Sequence, residues 1–137
     1  MTAQPMSNGT VGIVLVSHSA ELAEGAAHLA AQVSGGTVTI IAAGGTDDGD
    51  LGTSAAKVER GLSQAEAGVG VVVLPDLGSA VLTVRAVLEN HNDATSVLLA
   101  DAPFVEGAVA ATVTAAAGGD VKAVAAAAEE ARHARKL

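Results

Sequence analysis

Four short polar stretches in this sequence carry the residues with chemical potential, and each follows an apolar run. Ser17-His18-Ser19 follows residues 11–16, and Gly44-Gly45-Thr46-Asp47-Asp48-Gly49 follows residues 37–43. Asp76-Leu77-Gly78-Ser79 follows residues 69–74, and Asp101-Ala102-Pro103-Phe104 follows residues 96–100. His18 stands out. Imidazole is a nucleophile near neutral pH, and its two nitrogens divide the work: one attacks an electrophile such as phosphorus, the other donates a hydrogen bond to a fixed acceptor. Asp76, at the end of a neighbouring strand, has the right chemistry for that acceptor. It would fix the tautomer and stabilise the cationic ring that phosphorylation creates. Gly44, Gly45, Thr46, Gly78 and Ser79 offer N–H and hydroxyl donors to a phosphoryl group with little bulk.

Position alone leaves plainer readings open. His18 also fits a structural residue at a strand end, and Asp76 alone fits better as the cap of a helix beginning near Gly78. Asp101 has the same two readings. Asp47, Asp48 and Asp50 fit a solvated turn, because they lack the spacing and closing Glu of an EF-hand loop. His28, His91 and His133 lie in a helix, a turn and near the C-terminus. No two of the four histidines have a metal-ligand spacing, so neither a zinc site nor any other metal is expected. Gly44-Gly45-Thr46 lacks the Gly-Lys-Ser/Thr ending of a Walker loop, and neither the first nor the third strand is followed by G-x-G-x-x-G. No serine has a full G-x-S-x-G elbow. No cofactor is expected.

The elements that would position these residues follow from hydrophobic pattern. Residues 11–16 are continuously apolar and rich in β-branched side chains, as in a strand buried on both faces. Residues 20–33 place Leu22, Ala26, Leu29, Ala30 and Val33 at helical spacing, and Gly35-Gly36 ends that helix. A second strand spans residues 37–43. Thr53 or Ser54 caps a helix running to Ala65. Residues 69–74 form a third strand and residues 79–90 a helix offering Val81, Val84, Val87 and Leu88 for burial. Asn92-Asp93 breaks the chain before a fourth strand at residues 96–100. Residues 104–117 are helical, and Gly118-Gly119 separates them from a last helix over residues 120–134. There Val121, Val124, Ala125 and Ala128 face inward, with Glu129, Glu130 and Arg132 outward. The alternation predicts an α/β fold: a doubly wound parallel sheet with strand order 2-1-3-4, helices on both faces and an extra C-terminal helix. In such a sheet ligands bind beyond the carboxyl ends of the strands, where the strand order reverses.

Composition bounds the function. The 137 residues fit one domain, expected over residues 11–137 after a disordered lead-in at residues 1–10. Half the chain is hydrophobic, chiefly Ala and Val, and Phe104 is the one aromatic residue, so the core must close through small side chains. A formal charge of −8 with no basic footprint argues against nucleic acid and favours partners with a basic or apolar face. Cysteine is absent, which fits a reducing compartment. Residues 11–16 are too short for a signal core or a membrane span, so a cytoplasmic location without membrane insertion is expected.

Val14-Leu15-Val16-Ser17-His18-Ser19 with Leu22-Ala23-Glu24-Gly25, then Gly52-Thr53-Ser54, Asp76-Leu77-Gly78-Ser79-Ala80 and Ala102-Pro103-Phe104-Val105-Glu106-Gly107-Ala108, occur in one order. Together they resemble the DhaM branch of the enzyme IIA mannose family. The first and last pieces are the more specific, and the match runs from residue 11 to residue 131. The resemblance implies a homodimer in which His18 takes phosphate on Nε2 from the carrier HPr, with Nδ1 facing Asp76. It implies that phosphate then passes to ADP on the DhaL subunit, and from there to dihydroxyacetone on DhaK. Relatives of the mannose type add a strand exchanged between subunits, whereas here the C-terminal region reads as helix. Some members of the branch carry appended HPr-like and enzyme I-like domains. The same fold and histidine position also serve mannose-class sugar permeases, and a phospho-dependent regulatory module is a third reading. The Asp-Leu-Gly-Ser-Ala turn favours the DhaM branch.

Overall fold

A computed structural model describes residues 9–91 and 96–137. The first eight positions of the expected lead-in, and the break at Asn92-Asp93, lie outside the described residues. Strand β1 (Gly12–Ser17) leads to helix α1 (Ala20–Ser34), β2 (Ile40–Gly44), α2 (Ala55–Ala65) and β3 (Val71–Pro75). Then come α3 (Gly78–Glu89), β4 (Val97–Leu99), α4 (Phe104–Ala116), α5 (Val121–Glu130) and a 3₁₀ turn (Ala131–His133).

The four strands are parallel and ordered β2-β1-β3-β4, as the alternation predicts. β1 and β3 are central and wholly buried. Their side chains alternate between two cores. Val11, Ile13, Leu15, Val72 and Leu74 meet α1, α4 and α5 on one face. Val14, Val16, Val71 and Val73 meet α2 and α3 on the other. A strand buried on both sides must be apolar at every position, which is why these runs do not alternate.

The helices approach through small residues. α1 buries Ala23, Ala26 and Ala30, while Leu22, Leu29 and Val33 stay substantially exposed. Of the five residues at helical spacing, Ala26 and Ala30 face inward with Ala23, and the three larger ones do not. This alanine stripe lets α1 lie close to both β2 and α4, and the longer side chains are displaced to its flank. Gly35 ends α1 in the left-handed conformation at φ 85°, as its position predicts. β2 begins at Ile40, later than expected, although Val38 is already buried. α5 buries Val124, Ala125 and Ala128, and it tightens into the 3₁₀ turn four residues before the expected end. Among the described residues the sheet has four strands and no helix is long and apolar enough to cross a membrane.

Candidate phosphotransfer site

The sheet order reverses between β1 and β3. β1 leads into α1 on one face, and β3 leads into α3 on the other, so the chain diverges where the two strands end. His18 and Asp76 are each the first residue past those ends. The register pairs Val16 with Pro75, and the Asp76 N–H donates to the Val16 carbonyl at 2.9 Å. The carboxylate is therefore held beside Ser17 and His18 by the ladder itself.

Four donors converge on Asp76. Ser17 Oγ donates to Oδ2 at 2.9 Å, and the His18 backbone N–H donates to the same oxygen at 3.0 Å. His18 Nδ1 lies 3.0 Å from Oδ1, and the Leu77 N–H donates to Oδ1 at 2.7 Å. The Asp76 side chain is only 8 % exposed. Burial by itself would raise its pKa. The bonds from the His18 N–H, the His18 ring, Ser17 and the Leu77 N–H outweigh burial and hold the carboxyl below the ordinary carboxylate value. An ionised carboxylate only accepts, so the proton of a neutral His18 ring sits on Nδ1.

That tautomer leaves the Nε2 lone pair free to accept. Ser79 Oγ, on the first turn of α3, donates to it at 2.7 Å. The His18 side chain remains 26 % exposed, so a reacting group can reach it. Ser17 is fully buried, and its hydroxyl also accepts from the Ser19 N–H at 3.0 Å. Ser19 in turn caps α1 through the Leu22 N–H. The Ser17 hydroxyl, the His18 N–H and His18 Nδ1 are thus tied to Asp76, and the Ser19 N–H and hydroxyl to the turn's own neighbours. Asp76 does not cap α3. The cap position is Leu77, which makes no side-chain cap bond.

The β2–α2 loop closes over the backbone of His18. The Gly52 N–H donates to the His18 carbonyl at 2.8 Å. Gly52 has φ 140°, and a Cβ there would fall 2.7 Å from Thr46 Cγ2, so any other residue would strain the backbone and push the Thr46 side chain aside. Gly44 has a related role: a Cβ there would lie 2.5 Å from the Ser19 carbonyl oxygen, so its absence lets β2 end directly against the start of α1. Lys57 Nζ donates to the Gly44 carbonyl at 2.9 Å from the first turn of α2.

Of the proposed phosphate donors, Ser79 touches the ring, and Gly78 shares the first turn of α3, where N–H groups have no intrahelical acceptor. Gly45 and Thr46 are placed differently. The Gly45 N–H is bonded to the Ser17 carbonyl at 3.1 Å, and the Thr46 N–H to the Asp50 carbonyl at 2.9 Å. These amides stabilise the loop and are not free donors. Asp101 is exposed, and its carbonyl and carboxylate face Arg132. His28 is exposed on α1, away from the strand ends. Among the described residues no group of His, Asp and Glu is arranged to hold a metal. A groove of about 460 Å³ starts at Asp76, Leu77 and Gly78 and runs past Val81 and Arg85 toward Leu99 and Asp101.

Ser17, Thr53, Lys57 and Thr83 were given no site role from the sequence; Thr53 was read only as a possible helix cap, a place Ser54 takes. Ser17 carried one usable signal, a hydroxyl at the end of a run that is otherwise apolar. The others become visible only through contacts across the fold.

An open α/β sheet with an oriented, accessible imidazole at its switch point defines a protein able to carry a group on histidine. Comparison with known proteins narrows this. Residues 12–125 match the EIIA-man family, described as PTS system fructose IIA component. A relative from Listeria innocua, named PEP-dependent dihydroxyacetone kinase 2, phosphoryl donor subunit DhaM, is 37 % identical over 75 % of this chain and 84 % of its own length. The DhaM subunit of Lactococcus lactis is 33 % identical over 84 % of this chain and 90 % of its own. That of Pantoea ananatis is 42 % identical over 83 % of this chain, but the chain spans only a quarter of its length. A crystal structure of a protein of unknown function superposes with a TM-score of 0.79 at 33 % identity, covering 88 % of this chain and 94 % of the other. The chain belongs to the EIIA-man family, within its DhaM branch.

Proposed function

We propose that this chain is the phosphoryl donor subunit of a dihydroxyacetone kinase, carrying phosphate on His18 Nε2. The observation that carries this reading is the pair of bonds on the ring: Nδ1 to Asp76 at 3.0 Å and Nε2 to Ser79 at 2.7 Å. The first sets which nitrogen is nucleophilic. The second marks where the lone pair points.

The Nε2 lone pair attacks the phosphorus of a phosphoryl group carried by HPr. The bond between phosphorus and the carrier breaks, and its electron pair returns to the carrier. Ser79 must release Nε2 as phosphorus arrives, and its hydroxyl is then free to donate to a phosphoryl oxygen. The His18 ring becomes cationic, with its Nδ1 proton still donated to Asp76. In the second step a terminal oxygen of ADP on DhaL attacks the phosphorus, the N–P bond breaks, and its electrons restore neutral imidazole. The chain's part is positioning and charge stabilisation, which suffices for phosphoryl transfer. DhaL would then serve dihydroxyacetone on DhaK, so this chain would not bind the sugar.

Protein partners fit the surface around His18. Leu51, beside Gly52, is 80 % exposed, and Leu77, beside Asp76, is 62 % exposed. Such side chains give a docking protein apolar contacts on two sides of the imidazole, and the net charge favours a partner with basic residues. A homodimer is part of the same reading, supported by the exposed Leu82 of α3 and Val113 of α4. A monomeric mass at micromolar concentration would count against it. A cytoplasmic location belongs to the reading as well, since HPr acts there.

Incubation with enzyme I, HPr and phosphoenolpyruvate tests the proposal. The wild type should be labelled and His18→Ala should not. Labelling that survives the substitution would remove the central residue. Reconstitution with DhaK, DhaL and ADP separates a kinase subunit from a permease component: no dihydroxyacetone phosphate formed would overturn the choice of acceptor.

A further inference from the structure

α3 is an apolar helix apart from a few positions, and two of its hydroxyls, Ser79 and Thr83, stand one turn apart. Residues four apart share a helix face. Ser79 reaches the His18 ring. Thr83 is half-buried, and a threonine inside a helix ordinarily bonds back to the carbonyl four residues earlier, as Thr112 does to Ala108 at 2.7 Å. Thr83 makes no such bond. Its Oγ1 lies 2.7 Å from Thr53 Oγ1, thirty residues away in sequence, on the β2–α2 loop. Thr53 sits between Gly52, whose N–H holds the His18 carbonyl, and Ser54, whose hydroxyl caps α2 and bonds Asp47.

His18 is therefore gripped from two sides: its ring by α3 and its backbone by the loop. Among the described residues, the contact of Thr53 with Thr83 is the one hydrogen bond that joins the loop to α3. We propose that Thr83 is a positioning residue for phosphoryl transfer, acting through Thr53 to fix the β2–α2 loop against α3 around the phosphorylated ring. The inference rests on His18 carrying the phosphoryl group. Without the bond, the loop edge at Gly52 and Thr53 separates from the helix, water gains access to the N–P bond, and an incoming donor meets a less ordered site.

The test uses the full chain phosphorylated in two ways: by HPr, and by phosphoramidate, a small donor that labels accessible imidazole without a partner protein. Thr83→Val replaces the hydroxyl by a methyl of the same shape. It should shorten the phosphohistidine lifetime and slow transfer from HPr, each about fivefold, the worth of one neutral hydrogen bond. Thr83→Ser should restore both. Thr53→Val, on the loop and outside the helix packing, should reproduce the effect, and the double variant should be no worse than either single one. A lifetime and transfer rate unchanged in Thr83→Val, a failure of Thr83→Ser to rescue, or effects that multiply in the double variant would each overturn the proposal. If neither donor labels wild-type His18, the phosphocarrier reading falls and this inference with it. If the wild type is labelled and Thr83→Val behaves like it, only the positioning role falls.

Discussion

Asp76→Asn is the sharpest perturbation of the site, because it keeps the shape of the side chain and removes its charge and one acceptor. Ser17 Oγ and the His18 N–H converge on Oδ2, while His18 Nδ1 and the Leu77 N–H converge on Oδ1. Asparagine has one oxygen and so serves only one of these pairs. With its oxygen toward Nδ1 and Leu77, its NH₂ faces the other pair. Ser17 can rotate to accept, but the His18 N–H loses its acceptor. With the amide turned over, NH₂ faces the ring. Nδ1 must then accept, the ring proton moves to Nε2, and the nucleophilic lone pair is gone. The first arrangement leaves one buried donor unsatisfied, at about 1–3 kcal/mol, and weakens charge-assisted bonds worth about 1.5–3 kcal/mol each to neutral ones near 1. A stability loss of about 3 kcal/mol is expected from urea denaturation.

The effect on transfer has a separate origin. In the phosphorylated state the ring is cationic and Asp76 is its counter-charge. Losing it should slow single-turnover labelling from phospho-HPr on the order of 100-fold. This lies below the roughly 10⁴-fold cost of the equivalent change behind a serine-protease histidine, which must also shuttle a proton. Rapid-quench labelling reads the rate, and ¹⁵N shifts of the ring read the tautomer. A rate within about threefold of wild type would refute the orienting role. The pH dependence has a fixed sign. The folded carboxyl is held below its ordinary value of 3.8, so the stability it contributes is complete above that value and is lost as pH falls through the folded pKa. The part of the stability gap between wild type and Asp76→Asn that comes from the carboxylate should therefore shrink as pH falls below about 4.

Ser79→Ala should leave stability within about 0.5 kcal/mol, because the bond is exposed, and should slow labelling about fivefold by removing one donor to the phosphoryl group. An unchanged single-turnover rate would show that the Ser79 contact has no part in transfer. Leu77→Ser should stabilise the fold by about 0.5–1 kcal/mol in urea, by supplying the side-chain cap that α3 lacks. No gain, or a loss, would mean that the exposed leucine already packs where a cap would be needed.

The order of strands and helices was legible because its signal is local. Residues 11–16 and 69–74 are apolar at every position, and glycines punctuate the helices between them. The placement of His18 was legible for the same reason: a residue just past a central strand of a doubly wound sheet must stand at its carboxyl edge. Which side of α1 is buried was legible only in part: Ala26 and Ala30 belong to it, but Leu22, Leu29 and Val33 dominate the hydrophobicity while Ala23, Ala26 and Ala30 decide how near the helix can lie. Hydrophobicity along a helix does not record the distance to its neighbour. The Gly44-Gly45-Thr46 loop misled in a related way. Small residues read as an open phosphate cradle, yet the Gly45 N–H is used against β1 and the Thr46 N–H inside the loop. The pair Thr53 and Thr83 left no trace, because a hydroxyl bonded thirty residues away is indistinguishable in sequence from one facing water.

Asp76 shows most clearly how sequence and function part company. A lone aspartate two residues before a helix reads as a cap, and the helix would gain from one. The fold assigns the cap position to Leu77, one residue later, and a leucine cannot fill it. The difference comes from the register of β3 against β1. Because Pro75 pairs with Val16, the next side chain on β3 reaches the turn that carries His18, and four donors there outcompete the amides of α3 for its oxygens. A carboxylate serving α3 would leave Ser17 and the His18 N–H buried without an acceptor, and the ring free to adopt either tautomer. An uncapped helix start forfeits about 1 kcal/mol, whereas an unsatisfied buried donor alone costs as much or more. The arrangement is thus favourable in stability even before chemistry is counted, and of the four bonds that keep the turn folded the one to Nδ1 also sets the tautomer of the neutral ring and leaves Nε2 as its accepting nitrogen.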